Sequence, residues 1–160
     1  MSRLSAVAEA SSVPNDLEYV DRSLAIACTR GREAVVSRFR TLLRRENLSE
    51  QQWRILRLLF DDAVLSREPQ LTSVDIATRS CIHKVSVSRI IRSLEVRGLI
   101  GRTASLEDAR ASYVKLTSAG YSYMQPLVHE AAAIHHKIAE DLSFENYNLL
   151  LKLLRQLSEI

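Results

Sequence analysis

A chain of 160 residues has the length of one domain, or of a small reading domain merged with a helical module, and leaves no room for a separate catalytic domain. Apolar residues form 46% and charged residues 26% of it, the balance of a folded globular protein and not of a disordered one. The net charge of +3 is too small to name a partner, and no stretch approaches the roughly 18 uninterrupted apolar residues of a membrane span. With no continuous apolar leader core at the N-terminus either, the expectation is a cytoplasmic protein with no membrane partner. Cys28 and Cys81 are too far apart in sequence to suggest a metal pair or a disulfide framework, and they fit a reducing compartment.

Residues 1–16, rich in Ala and Ser and containing Pro14, read as a flexible arm. From Leu17, the residues Leu17, Val20, Leu24, Cys28, Gly31, Val35 and Leu42 recur at three- and four-residue steps and predict a long helix to about Arg45, too long for a small domain to cover alone. Asn47 or Ser49 can cap a second helix, whose inner face carries Trp53, Leu56, Leu59 and Phe60 and which stops near Asp61 and Asp62. A loop over Ser66–Gln70 follows. In Thr72–Asp75 a hydroxyl cap with an acidic residue three positions on opens a short helix to about Arg79, and a turn lies around Cys81–His83. The next helix, about Lys84 to Val96, separates Val87, Ile90, Ile91 and Leu94 from Ser86, Ser88, Arg89, Arg92 and Ser93, and Gly98 ends it.

Beyond Gly98 the period becomes extended. Leu99–Arg102 and Tyr113–Leu116 read as two strands of a hairpin, joined by the polar loop Thr103–Ala111. Hydroxyls at Thr117 and Ser118 can cap a helix from about Ala119 to Glu140. A last helix over Ser143–Leu157 carries Phe144, Tyr147, Leu150, Leu151, Leu154 and Leu157, and is apolar enough to need a partner. The fold class is therefore mainly α with a small β-hairpin wing: a winged helix-turn-helix lobe over 48–118, fused to helices over 17–47 and 119–160 that need a partner to cover them.

Charge is concentrated where that lobe would touch DNA. Between Arg79 and Arg110, seven cationic side chains face three acidic ones, a local excess of four that exceeds the charge of the whole chain. In the second helix of the motif Arg89 can fork onto guanine O6 and N7, and Ser86, Ser88 and Ser93 are short enough to bond bases or phosphates. Lys84 and Arg92 suit phosphates, with His83 and Arg102 at the flanks. In the wing, Arg110 would reach a minor groove, and Asp108, two residues earlier, is placed to pair with it and set its direction. Taken singly, each is also an ordinary solvated charge, and Asp108 with Arg110 a plain loop ion pair. The ordered set is what points to double-stranded DNA.

Three runs, LSEQQWRIL at 48–56, VSVSRIIRSLEVRGLIGR at 85–102 and DARASYVKLTSAG at 108–120, resemble the multiple-antibiotic-resistance regulator (MarR) family in order and spacing. The resemblance covers about residues 20–157. It implies a homodimer in which the first and last two helices interlock, a pseudo-palindromic operator, and a wing whose Asp108 and Arg110 form the family's Asp-x-Arg. The runs from Arg32 to Arg40 and from Gln51 to Arg54 are similar to repressors of homoprotocatechuate and related aromatic catabolic operons. One departure is the longer, more charged segment Asp61–Gln70 before the helix-turn-helix.

The same resemblance implies a pocket for a small aromatic acid. Arg38 falls on the apolar stripe of the first helix, where a guanidinium needs an anion. With Trp53 as an aromatic wall, that anion is a hydroxybenzoate-, hydroxyphenylacetate- or hydroxycinnamate-type carboxylate, or else Glu33 or Asp62 in a salt bridge. His135, on the stripe of Val128, Ala131 and Ile138, reads as a dimer-interface histidine. Two alternatives stay open: a redox-sensing repressor using Cys28 or Cys81, although Cys28 lies where a thiol usually packs, and an effector-independent DNA binder. Four histidines without metal spacing, no GxSxG turn and only four glycines argue against an enzyme, a metal or a cofactor.

Overall fold

The computed structural model describes residues 23–66, 71–104 and 112–160, and divides into two units, residues 1–38 and 39–160. The expected arm, and the expected helix start at Leu17, lie outside the described residues. Helix α1 (Leu24–Arg45) begins in the first unit and ends in the second. Up to Arg38 it exposes Leu24 and Val35 of the expected stripe, and Ile26 on the opposite side of the helix, while Cys28 of the stripe is half-buried. Asn47, in the left-handed region at φ 51°, follows its end. Ser49 alone caps α2 (Glu50–Leu65), in a reciprocal box with Gln52.

Helix α2 runs past the stop expected at Asp61 and Asp62, because both carboxylates find partners within reach of the helix. Arg57 holds Asp61 from one turn earlier, while the buried Asp62, 8% exposed, accepts from Ser66 Oγ and lies near Arg79. After the undescribed residues 67–70 comes β1 (Leu71–Thr72), a strand that periodicity did not predict, since two residues carry no period. It pairs antiparallel with β3 (Ser112–Leu116), which also pairs with β2 (Ile100–Ala104), giving the order β1, β3, β2. Strand β2 extends two residues into the expected loop, with Thr103 opposite Tyr113 and Ala104 opposite Ser112.

Helices α3 (Ser73–Ser80) and α4 (Lys84–Val96) follow the expected order, with Thr72 and Asp75 making a second reciprocal capping box. Hydrogen bonds from the Thr72 side chain and backbone hold the Asp75 carboxyl below the usual range. Helix α5 (Ser118–Leu142) is capped by Thr117, and α6 (Phe144–Leu157) by Ser143. Ile55, Leu56, Leu59, Ile76, Val87, Ile91, Leu94, Val114 and Met124 form one core that seats α4 from beneath. Helix α6 packs along α5 but buries none of its residues, leaving Leu149, Leu150, Leu151, Leu153, Leu154 and Leu157 exposed. Among the described residues no helix is long and apolar enough to cross a membrane.

Gly120 locks the start of α5 onto the wing. A Cβ built there would lie 1.8 Å from the Leu99 carbonyl oxygen, so only glycine admits this approach. Around it the Thr117 N–H donates to Leu99 O at 3.1 Å, Thr117 Oγ1 donates to Gly98 O at 2.7 Å, and the Gly120 N–H donates to Thr117 Oγ1 at 2.9 Å.

Candidate nucleic-acid interface

The turn between α3 and α4 is set by local chemistry. Cys81 takes a left-handed conformation at φ 52°, its N–H closing onto Thr78 O, and buried Ile82 plugs the turn from below. Arg54 of α2, which also pairs with Glu50, donates to Ser80 O at 2.9 Å and pins the end of α3. With both sides of the turn fastened, α4 is held with its apolar face on the core.

Its other face is the one that sequence periodicity predicted. Val87, Ile91 and Leu94 are buried; Lys84, Ser88, Arg89, Arg92 and Ser93 are exposed; Ser86 and Ile90 are intermediate. His83 occupies the N-cap without a side-chain hydrogen bond, and the first turn carries no acid. Helices α2, α3, α5 and α6 are each capped by a Ser or Thr hydroxyl, so α4 differs from them in leaving its first N–H groups unclaimed by a capping side chain. Not every hydroxyl of the face is uncommitted. Ser88 Oγ donates to Lys84 O at 3.3 Å, and Ser93 Oγ accepts from Gln52 Nε2 at 3.3 Å. Gln52, noticed in the sequence only within the Gln51–Arg54 run, thus caps α2 and ties it to α4.

At the far end, Arg89, Arg92, Ser93, Val96 and Arg97 line a surface groove of about 450 Å³. Arg97 reaches back to Asn47 O at 3.2 Å and Glu46 O at 3.3 Å and lies 5.8 Å over the Tyr123 ring, clamping the end of α4 to the end of α1. Burial, with Glu46 close by, pushes the Tyr123 phenol up. Arg102 on β2 is bound through two hydrogen bonds, at 2.8 and 3.2 Å, by Glu95. This pair joins the wing's base to α4, so Arg102 has a structural task whatever else it touches. Asp108 and Arg110, the expected tip of the wing, lie outside the described residues.

Arg38, in the first unit, is exposed on the protomer, while Glu33 is paired with Arg32 at 2.8 Å and Asp62 with Ser66 and Arg79. Trp53, half-buried in the second unit, faces Phe39 with ring centroids 6.3 Å apart. Phe39 in turn meets the His135 ring at 5.2 Å, and Tyr147 OH lies 3.5 Å from His135 Nδ1. Burial, with the Arg57 cation nearby, holds the His135 imidazole below its usual range. Periodicity placed His135 on an interface stripe; the aromatic cluster with Phe39 and Tyr147 joins residues up to 108 positions apart and gave no local signal. Cys28 is half-buried and Cys81 exposed, both as free thiols.

A family model described as the MarR family matches residues 48–112. The transcriptional regulator FarR of Neisseria gonorrhoeae is 35% identical over 138 residues, covering 86% of this chain and 90% of that protein. The homoprotocatechuate degradative operon repressor of Escherichia coli is 35% identical over 137 residues, covering 84% and 86%. Among solved structures, NadR in complex with 4-hydroxyphenylacetate superposes with a TM-score of 0.74 at 32% identity, covering 86% of this chain and 96% of that one.

Proposed function

Because the chain belongs to the MarR family of winged helix-turn-helix transcriptional regulators, we propose that it acts as a homodimer that represses an aromatic-catabolism operon by occupying a pseudo-palindromic operator. Residues 17–47 and 119–160 assemble the dimer, which would cover the exposed leucines of α6. The two copies of α4 enter successive major grooves, with Ser86, Ser88 and Arg89 toward the bases and His83, Lys84, Arg92 and Ser93 toward the phosphates. Asp108 and Arg110 reach the flanking minor grooves, with Arg102 supporting the wing. The observation that carries this reading is the partition of α4: an apolar face sunk in the core and a basic, hydroxyl-bearing face left open, at a helix start with no capping side chain.

The effector is a small aromatic carboxylate. Support comes from the 35% identity to a homoprotocatechuate operon repressor and the 32% identity to a protein solved with 4-hydroxyphenylacetate. Arg38 is the proposed partner of the carboxylate and Trp53 of the ring, and binding favours a separation of the two α4 helices that no longer matches one turn of DNA. Fluorescence anisotropy of labelled DNA from upstream of its own gene, with and without hydroxylated aromatic acids, tests both halves of the proposal. Trp53 is the single tryptophan, so its intrinsic emission reports acid binding without DNA. Binding to operator no tighter than to random DNA refutes the first half, and a panel of acids that moves neither anisotropy nor Trp53 emission refutes the second.

A further inference from the structure

Two residues on the open face of α4 do not fit a solvated helix: Val96, 85% exposed, in the groove at its far end, and Val85 in its first turn, where base edges are met. Val85, second in the helix, is 63% exposed, while its chain neighbours on that face are cationic or hydroxyl-bearing. At about 100° per residue, Val87, Ile91 and Leu94 define the inward direction, and Val85 points roughly 150° away from it, in line with Arg89 and Arg92. It therefore stands among the proposed base-reading side chains and not at the flank of the helix. It also lies in the first turn, the part of a recognition helix that reaches base edges. A β-branched side chain there is held in few rotamers, so it loses little freedom when it meets a partner. The only apolar group that a major groove presents at a base edge is the thymine C5-methyl.

We infer that Val85 is a specificity determinant that packs against a thymine methyl in each half-site. The inference rests on the reading of α4 as the recognition helix. Polar contacts from Arg89 would choose purines, whereas Val85 favours thymine over cytosine at one position by desolvating the methyl and offering the cytosine amino group no acceptor.

The full-length chain selects its preferred duplex from a random-sequence library, and each thymine of the half-site is then replaced by uracil, which removes the methyl and keeps the pairing. One thymine per half-site is expected at which this weakens binding by about fourfold, the worth of one buried methyl. Val85→Ala binds the thymine and uracil duplexes alike, Val85→Thr keeps part of the discrimination, and 5-methylcytosine at that position recovers part of what unmethylated cytosine loses. If Val85→Ala discriminates thymine from uracil as the parent does, or if no thymine responds, the inference is overturned while the DNA-reading role stands. If the library yields no preferred duplex, both fall together.

Discussion

Replacing Gly120 by Ala tests the packing that places the wing against α5. Helix propensity alone says the change should help, by about 1 kcal/mol, because Ala is the better helix former. The structure says the opposite. The new methyl would lie 1.8 Å from Leu99 O and 2.8 Å from its carbonyl carbon, where ordinary contact begins at 3.4 Å. Both obstacles are backbone and cannot rotate aside, so the first turn of α5 must lift from the β2 strand by roughly 1.5 Å. Lifting stretches the bonds of Thr117 to Gly98 O and Leu99 O, each worth about 1 kcal/mol, on top of about 1–3 kcal/mol of overpacking. The net expectation is a loss of about 3 kcal/mol, or a fall in Tm of roughly 6–12 °C for a chain of this size. Gly101→Ala is the control: its Cβ meets Thr117 Cγ2 at 3.8 Å, an ordinary contact, and stability should change by no more than about 0.5 kcal/mol. Thermal and urea unfolding are measured at one protein concentration, since the proposed dimer would tie stability to it. A Gly120→Ala protein as stable as the parent would refute the argument.

Three further outcomes follow from the same geometry. Lys84→Ala should weaken binding about equally on operator and random DNA and lower the salt slope by about 1, whereas Arg89→Ala should relax base preference at one position at a cost of about 1–3 kcal/mol; anisotropy titrations at several salt concentrations separate the two. His135 is held neutral by burial, so its folded pKa lies below the ordinary 6.5 and the unfolded chain binds its proton first. Its contribution therefore falls as pH drops below about 6.5, and urea midpoints of His135→Gln should show a shallower acid loss than those of the parent between pH 7 and pH 5. Arg38→Ala should lower the affinity for an aromatic acid, read by Trp53 emission, with little change in operator affinity in the absence of acid; equal acid affinity in parent and variant would remove Arg38 from the proposed pocket.

What was legible in the sequence is what rests on neighbours three and four residues apart. The bounds of α4, its two faces, the box of Thr72 with Asp75, and Gly98 at φ 70° could all be read before any packing was known, because caps and amphipathic faces are local. Tertiary structure decided what depends on distant segments meeting. Strand β1 exists only because Leu71 finds Val114, and Gly120 is obligatory only because Leu99 O lies against it. Arg97 is a clamp only because Glu46 and Asn47, about fifty residues earlier, turn their carbonyls toward it. Arg102 illustrates the limit most clearly. Its charge was countable from the sequence, but its two bonds to Glu95 follow from the way the wing folds back on α4, and no spacing encodes that.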